Sequence, residues 1–182
     1  MTPILIGYFP KQTVSHPDWI GVPHMEQICN VSDCISSGPD GWIDHWLHNA
    51  FWAYDSPEMA WSVVPEAMRA QFDVYAWRIF PIRFAHREEQ PLEMPDLAVK
   101  PLPSNFVRLG FDAVSRTLDS PFGCSPLSCN YMAREIPVNR YCLIESEPEA
   151  FRVAHDFSRT EPEPGPYHLV EIWRANAYAS VA

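Results

Sequence analysis

The sequence predicts an α+β fold, with one mixed or antiparallel sheet and helices packed on it. Three observations predict it. In residues 72–84 (FDVYAWRIFPIRF), Phe72, Val74, Ala76, Arg78 and Phe80 alternate with Asp73, Tyr75, Trp77 and Ile79. That is the period of a strand, and its two largely apolar faces place it centrally. Residues 147–157 put Ala150, Phe151, Ala154 and Phe157 on one helical face behind Ser146, a good cap. The chain of 182 residues is 47% hydrophobic and 13% aromatic, with 19 prolines but only seven glycines. Such a chain reads as many short elements with fixed turns, and it is too apolar to be disordered. Its length suits one good core, hence a single domain over 1–182.

The elements follow in order. Residues 4–9 are a short apolar run that reads as a first strand stopped by Pro10. Residues 11–24 are a loop with Trp19 and Ile20 tucked beneath it, and residues 25–34 read as a short helix or turn. Trp42, Ile43, Trp46 and Leu47 share a face of a helix over 41–49, capped by Asp40 and stopped at Asn49. Ser56-Pro57-Glu58 starts a helix with a cap, a first-position proline and an early acid. It breaks at Pro65, and a second short helix runs to Ala70. Pro81 marks the end of the central strand or a bulge in it. Residues 86–104 carry four prolines and four acids and form a long surface connection. Strands are expected at 107–115, 140–145 (RYCLIE) and 167–173 (YHLVEIW), with a short helix at 128–135. The predicted core includes Ile4, Ile6, Trp42, Trp46, Val74, Ala76, Leu143, Phe151, Leu169 and Ile172.

Two stretches resemble each other. Residues 49–63 (NAFWAYDSPEMAWSV) and 139–153 (NRYCLIESEPEAFRV) share an Asn, an apolar run, acid-Ser, Pro-Glu and a later aromatic. Cys34, Asn49 and Ser56 align with Cys124, Asn139 and Ser146 at an offset of 90, and Trp77-Arg78 with Trp173-Arg174 at 96. The matches predict two β-α-β halves, about 31–84 and 114–175, joined by 86–104. The competing account is that strand, helix start and strand is a common local grammar.

The most chemically loaded stretch is 114–130 (VSRTLDSPFGCSPLSCN). It supplies the ligand-binding candidates Arg116, Cys124, Ser125, Ser128, Cys129 and Asn130, with Arg140 nearby in sequence. Cys124 and Cys129 are spaced CxxxxC, which does not close the knuckle that CxxC makes around zinc. A nucleophilic thiol needs a base or positive field, for which Arg116 and Arg134, close in sequence, and His155 and His168 are candidates. The plainer role for both thiols is that of small buried hydrophobes. The serines and Asn130 equally suit turn making.

On the expected helix at 41–49, His45 and His48 share a face and could reach one zinc ion, with Asp44 as ligand or support. The pattern lacks the glutamate of HExxH. A third ligand would come from His16, His24, Cys29 or Cys34. No cofactor is expected otherwise. Arg78 and Arg174 lie in apolar strands and must be paired, with Glu171 and Asp73 the nearest acids in pattern.

The net charge of −10 disfavours nucleic acid. No basic leader followed by an apolar run is present, and neither is a span long enough for a membrane. Five cysteines, an odd number, suggest free thiols in a reducing cytoplasm. There is no GxGxxG, P-loop, GxSxG or kinase pattern. The resulting expectation is an acidic cytoplasmic binding or regulatory protein of immunity type that recognises a basic partner or cationic ligand. The alternative is a small enzyme, a transferase or thiol-dependent, with its site in 114–130.

Overall fold

The computed structural model describes residues 1–41, 47–117 and 120–176. In chain order the elements are β1 (Ile4–Gln12), β2 (Val14–Ser15), β3 (Gln27–Ile28), α1 (Pro57–Ser62), β4 (Phe72–Ala85), β5 (Glu88–Pro91), β6 (Phe106–Ser115), α2 (Pro126–Cys129), α3 (Glu147–Thr160) and β7 (Tyr167–Ala175). Short 3-10 turns at Asp18–Ile20, Glu66–Gln71 and Met132–Arg134 join them. The main sheet has the order β1-β4-β7-β6, with β5 added to the far end of β4, and its pairings are antiparallel. The α+β class therefore holds, in its antiparallel form. Among the described residues no helix is long and apolar enough to cross a membrane.

The central strand, the strands near 107–115 and 167–173, and the helices after Ser56 and Ser146 form where the sequence places them. Ser56 Oγ accepts the Met59 N–H at 3.2 Å, and Pro57 fills the first helical position. Pro81 interrupts the register of β4 against β7 between Ile79 and Arg83 without ending the strand. Four expectations are corrected. Residues 140–145 are not a strand: Cys142 sits at φ +60°, which bends the chain, and only Ile144 bridges to Phe111. The fourth long strand is instead β1, which runs on through Pro10. β1 is an edge strand, where a missing proline N–H is tolerated. Residues 27–28 pair with β2 rather than forming a helix. Ile4 and Trp19 are exposed, while Ile20 is buried. The expected helix over 41–49, with Trp42 and Trp46, falls largely outside the described residues.

Alternation along β7 sorts the two faces of the sheet. Tyr167 and Leu169 pack with Phe80, Phe111 and the Ala150, Ala154 and Phe157 stripe of α3. Ala175 lies on the same side with Tyr8, Val74, Ala76 and Ala60 of α1. Both helices thus cover one face. On the other face Val170 and Ile172 join Ile6, Tyr75, Trp77, Ile79 and Leu109 beneath the loops that carry Val31, Phe51 and Leu143.

The same local device closes both edges of the sheet. Asn49 Nδ2 donates to Ile6 O at 2.8 Å and Asp55 Oδ1 at 2.9 Å, and its Oδ1 accepts the N–H groups of Phe51 and Ala53 at 2.9 and 3.3 Å. Asn139 Nδ2 donates to Leu109 O at 2.7 Å and Glu145 Oε2 at 3.0 Å, and its Oδ1 accepts from Tyr141 and Leu143 at 2.9 and 3.3 Å. Each amide makes all four of its bonds. Each loop then bridges onto its edge strand, Tyr54 to Tyr8 and Ile144 to Phe111. Gly7 and Gly110 allow this close approach. A Cβ on Gly7 would lie 2.5 Å from Ala53 Cβ, and one on Gly110 2.8 Å from Ile144 O, with φ at +141° and +148°.

The Trp-Arg match does not belong to this correspondence. Ala76 stands opposite Trp173 and Trp77 opposite Ile172. Trp77 therefore points to the loop face and Trp173 to the helix face. A two-fold axis normal to the sheet keeps each face on itself, so it cannot exchange these two residues.

Gly110→Ala should lower stability by on the order of 3 kcal/mol, combining contact and backbone strain. Gly41 is the control: it has φ +73°, and among the described residues nothing lies within 4 Å of where its Cβ would stand. Gly41→Ala should cost about 1 kcal/mol. Urea unfolding of both variants measures the difference, and equal midpoints would show that the loop does not press on Gly110.

Candidate functional site

Beyond the end of β6 the chain leaves the sheet and comes back to it. Ser115 and Cys124 bridge, with backbone N–H to O distances of 2.8 and 3.0 Å. The returning strand is locked to a distant segment: Asp33 N–H donates to Gly123 O at 3.0 Å, and Gly123 N–H donates to Asp33 Oδ2 at 2.7 Å. Lys11 Nζ, almost fully buried, holds the other oxygen of Asp33 at 2.8 Å. Between these segments and the Pro164–Gly165 turn lies an open pocket of about 530 Å³. Asp33, Cys34, Arg116, Phe122 and Cys124 line it, and Phe122 is 55% exposed at its mouth.

Three cysteine sulfurs cluster here, those of Cys34 and Cys124 on residues that line the pocket and that of Cys129 beside them. Cys34 and Cys129 are joined in a disulfide with their Cα atoms 6.9 Å apart. Cys124 Sγ lies 3.5 Å from Cys34 Sγ, and the three sulfurs lie within 4.8 Å of one another. Ser32 Oγ, fully buried, lies 2.6 Å from Cys129 Sγ and 3.3 Å from Cys34 Sγ. The expectation of five free thiols is thus corrected: only Cys29, Cys124 and Cys142 are free, and Cys29 and Cys142 are buried away from the pocket. The correction has a simple origin. The CxxxxC spacing does not reveal Cys34, which arrives from 95 residues before Cys129.

The other expected residues divide. Arg116 lines the pocket but is itself 9% exposed. Its Nη2 donates to Phe51 O at 2.5 Å and Ser120 O at 3.4 Å, and the guanidinium lies 6.0 Å from the Trp77 ring centroid. Ser125 and Ser128 are fully buried and do not line the pocket. Ser125 donates to Asp112 Oδ1 at 2.8 Å, and Ser128 exchanges bonds with Asn30 at 3.0 and 3.1 Å. Asn130 donates to Pro162 O at 3.0 Å and so fixes the loop before Pro164. Arg140 stands apart from the pocket: it is exposed, pairs with Glu26 and lies over the Tyr141 ring. Its closeness to 114–130 along the chain does not survive the turn through Asn139. His45 lies outside the described residues, and His48 rests against the rings of Trp52 and Tyr54. Among the described residues no histidine hydrogen-bonds to Cys124. Arg78 does pair with Glu171, at 2.7 Å, and Arg174 approaches Asp73 at 3.9 Å.

Burial controls the electrostatics. It pushes the Cys124 thiol up to about 12, helped by Glu163, Asp112 and Asp33. It lowers Arg116 to about 10, against the pull of Asp33. Asp112 is raised to about 6 by complete burial, in spite of hydrogen bonds from Ser125 and Val31 N–H. His168, whose ring nitrogens find no hydrogen-bond partner among the described residues, is lowered to about 4 by burial and then by the charge of Arg116. Asp33, Cys34, Ser32 and Asp112 all lie outside 114–130, so no reading of that stretch alone finds them. The one sequence signal that points their way is the offset of 90 that aligns Cys34 with Cys124.

Compared with known protein families, curated proteins and solved structures, the chain matches none.

Asp112 and His168 make opposite demands on pH. The contribution of Asp112 is full below pH 3.8 and is lost as pH rises through about 6. That of His168 is present above pH 6.5 and lost as pH falls through about 4. They oppose each other over one window, so the wild type should be nearly flat there with respect to these two groups. Asp112→Asn removes one arm. Its stability relative to wild type should rise by about 3 kcal/mol from pH 4 to pH 7. Urea titrations across that range check it, and a pH-independent difference would mean that Asp112 ionises without penalty.

Proposed function

We propose that the chain is an acidic cytoplasmic binding protein of regulatory or immunity type, and that the pocket at Asp33, Arg116, Phe122 and Cys124 receives a cationic ligand or a basic partner. The observation that carries this reading is how the loop spends its polar groups. Ser125, Ser128, Asn130 and Arg116 give their donors to Asp112, Asn30, Pro162 and Phe51, and among the described residues no histidine hydrogen-bonds to Cys124, whose acidic neighbours Glu163, Asp112 and Asp33 raise its pKa further. That is the economy of a binding site held in shape, rather than of an activated nucleophile. The net charge of −10 speeds encounter with a basic partner. The exposed Phe122 supplies an apolar anchor at the rim. We also read the chain as one domain built from two copies of a β-α-β unit, on the strength of the twin Asn clamps and their glycines.

One contact supports the alternative of a thiol-dependent enzyme. Cys124 Sγ, 3.5 Å from a sulfur of the Cys34–Cys129 disulfide, is placed for thiol–disulfide exchange.

The first reading is tested by amide NMR with a short oligo-lysine peptide as probe and an oligo-glutamate peptide as control. Saturable, salt-sensitive shifts should gather at Asp33, Phe122, Gly123 and Glu163 with the basic peptide alone. Equal responses to both peptides, or shifts spread over the surface, would remove the pocket from the reading.

A further inference from the structure

We infer that Cys34, Cys124 and Cys129, when reduced, hold one soft divalent cation of the zinc class, with a fourth coordination position open to the pocket. The inference rests on the reading above for its choice of pocket, and names the cationic ligand. It does not depend on any protein partner.

Geometry comes first. Two sulfurs on a tetrahedral zinc, at about 2.3 Å from the metal, lie about 3.8 Å apart. The Cys34 and Cys124 sulfurs are 3.5 Å apart, and all three fall within 4.8 Å. The ligands come from two segments that the backbone already fastens together. Asp33 and Gly123 exchange hydrogen bonds, and Cys124 is pinned to Ser115. Cys129 N–H donates to Ser125 O at 2.9 Å, at the turn that α2 begins. The backbone that carries the ligands is thus held without the ion, which lowers the cost of ordering it, while the Cys34 and Cys129 sulfurs, bonded to each other here, must part on reduction to admit the ion.

The surroundings suit metal-bound thiolates. Ser32 Oγ lies beside two of the sulfurs, on a residue fully buried from solvent. Hydroxyls in that position orient ligands and temper their charge. Three thiolates and a divalent ion leave one negative charge; Arg116 puts a positive charge in the lining of the same pocket, with its Nη2 bonded to Phe51 O and Ser120 O. Asp33 and Glu163 add carboxylates close to Cys124. Three sulfurs select zinc-class ions over magnesium and calcium, which prefer oxygen. Three protein ligands with an open fourth position is the form that takes an exchangeable ligand, rather than the closed form of a purely structural site.

The Cys34–Cys129 bond is the oxidised form of the same site, because ion and disulfide use the same sulfurs. Reduction by a dithiol, itself oxidised to its disulfide, delivers two electrons and two protons and yields two thiols. The ion then displaces the thiol protons to solvent.

The test uses the full chain without a tag, reduced by a phosphine that is then removed, with zinc alone as the probe against a chromophoric chelator. The reduced protein should bind one equivalent. Cys124→Ser should weaken binding by more than about 100-fold, and Ser32→Ala by about 10- to 100-fold. Cys29→Ser, at a buried thiol outside the trio, should leave affinity unchanged. Cobalt(II) in place of zinc should give sulfur-to-metal charge-transfer absorption in the near ultraviolet. Should Cys124→Ser fail to fold, oxidation of the wild type serves instead: affinity should vanish as the disulfide forms and return on reduction. Absence of binding by reduced protein, binding indifferent to oxidation, or binding that survives Cys124→Ser and is lost in His48→Ala would each overturn the inference. Zinc binding with these signatures, beside a silent oligo-lysine titration, would uphold the metal site and set aside the basic partner. The reverse pair of results would do the opposite.

Discussion

Two side-chain amides hold this fold in its shape. Asn49 and Asn139 each satisfy every donor and acceptor they own, and each ties a loop to the outer side of an edge strand. An open edge is a row of unpaired backbone groups that invites another strand. Here one bridge per edge, at Tyr54 and Ile144, begins to cover it, and the chain then turns directly into a helix on the sheet's face. The clamp therefore sets three things at once: where the edge ends, where the helix starts and which face it covers. It needs a glycine beneath it, because any Cβ would occupy the space of the loop. The constraint is local, yet without it neither α1 nor α3 would be delivered to its place.

The face away from the helices is organised by charge as much as by apolar contact. Lys11 and Arg116 both lie over the ring of Trp77, at 5.5 and 6.0 Å from its centroid. Such contacts gain strength when water is excluded. Asp33 answers Lys11, Asp112 accepts from Ser125 and the Val31 N–H, and His168 is buried neutral. Burying such groups is costly unless each finds a partner or neutralises. A loop fixed through bonds of this kind is stiff. The backbone around the three sulfurs is accordingly held by bonds to Asp33, Ser115 and Ser125.

What can be seen in the sequence follows from which signals are local. The strand at 72–84, the strands near 107–115 and 167–173 and the helix starts at Ser56 and Ser146 are short-range patterns, and they form as such. RYCLIE has the composition of a strand, but Asn139 captures its backbone first and Cys142 turns it through a positive φ. Pro10 reads as a stop because its missing N–H matters inside a sheet, and the sequence does not say which strand is an edge. The Trp-Arg match fails because a strand's side chains alternate, so a register one residue away moves a side chain to the opposite face. The chemical loading of 114–130 is visible in its composition, and Arg116 and Cys124 do line the pocket. Asp33 and Cys34 complete it from far along the chain, and no local pattern in 114–130 points to them. Arg140 is near that stretch in sequence alone, a nearness the fold does not preserve.

The seam between β4 and β7 has a consequence for assembly. Each of these strands belongs to a pair, β1 with β4 and β6 with β7, and the two pairs meet along that line of hydrogen bonds and through the loops above and below it. A β6–β7 pair from a neighbouring molecule offers the same line, with the same residues opposite one another. The tether 92–105 sets the local concentration of a chain's own partner half and so favours pairing within one chain. Shortening that tether until it cannot span the sheet would turn the same contacts into a swapped dimer, with two pockets each assembled from both molecules.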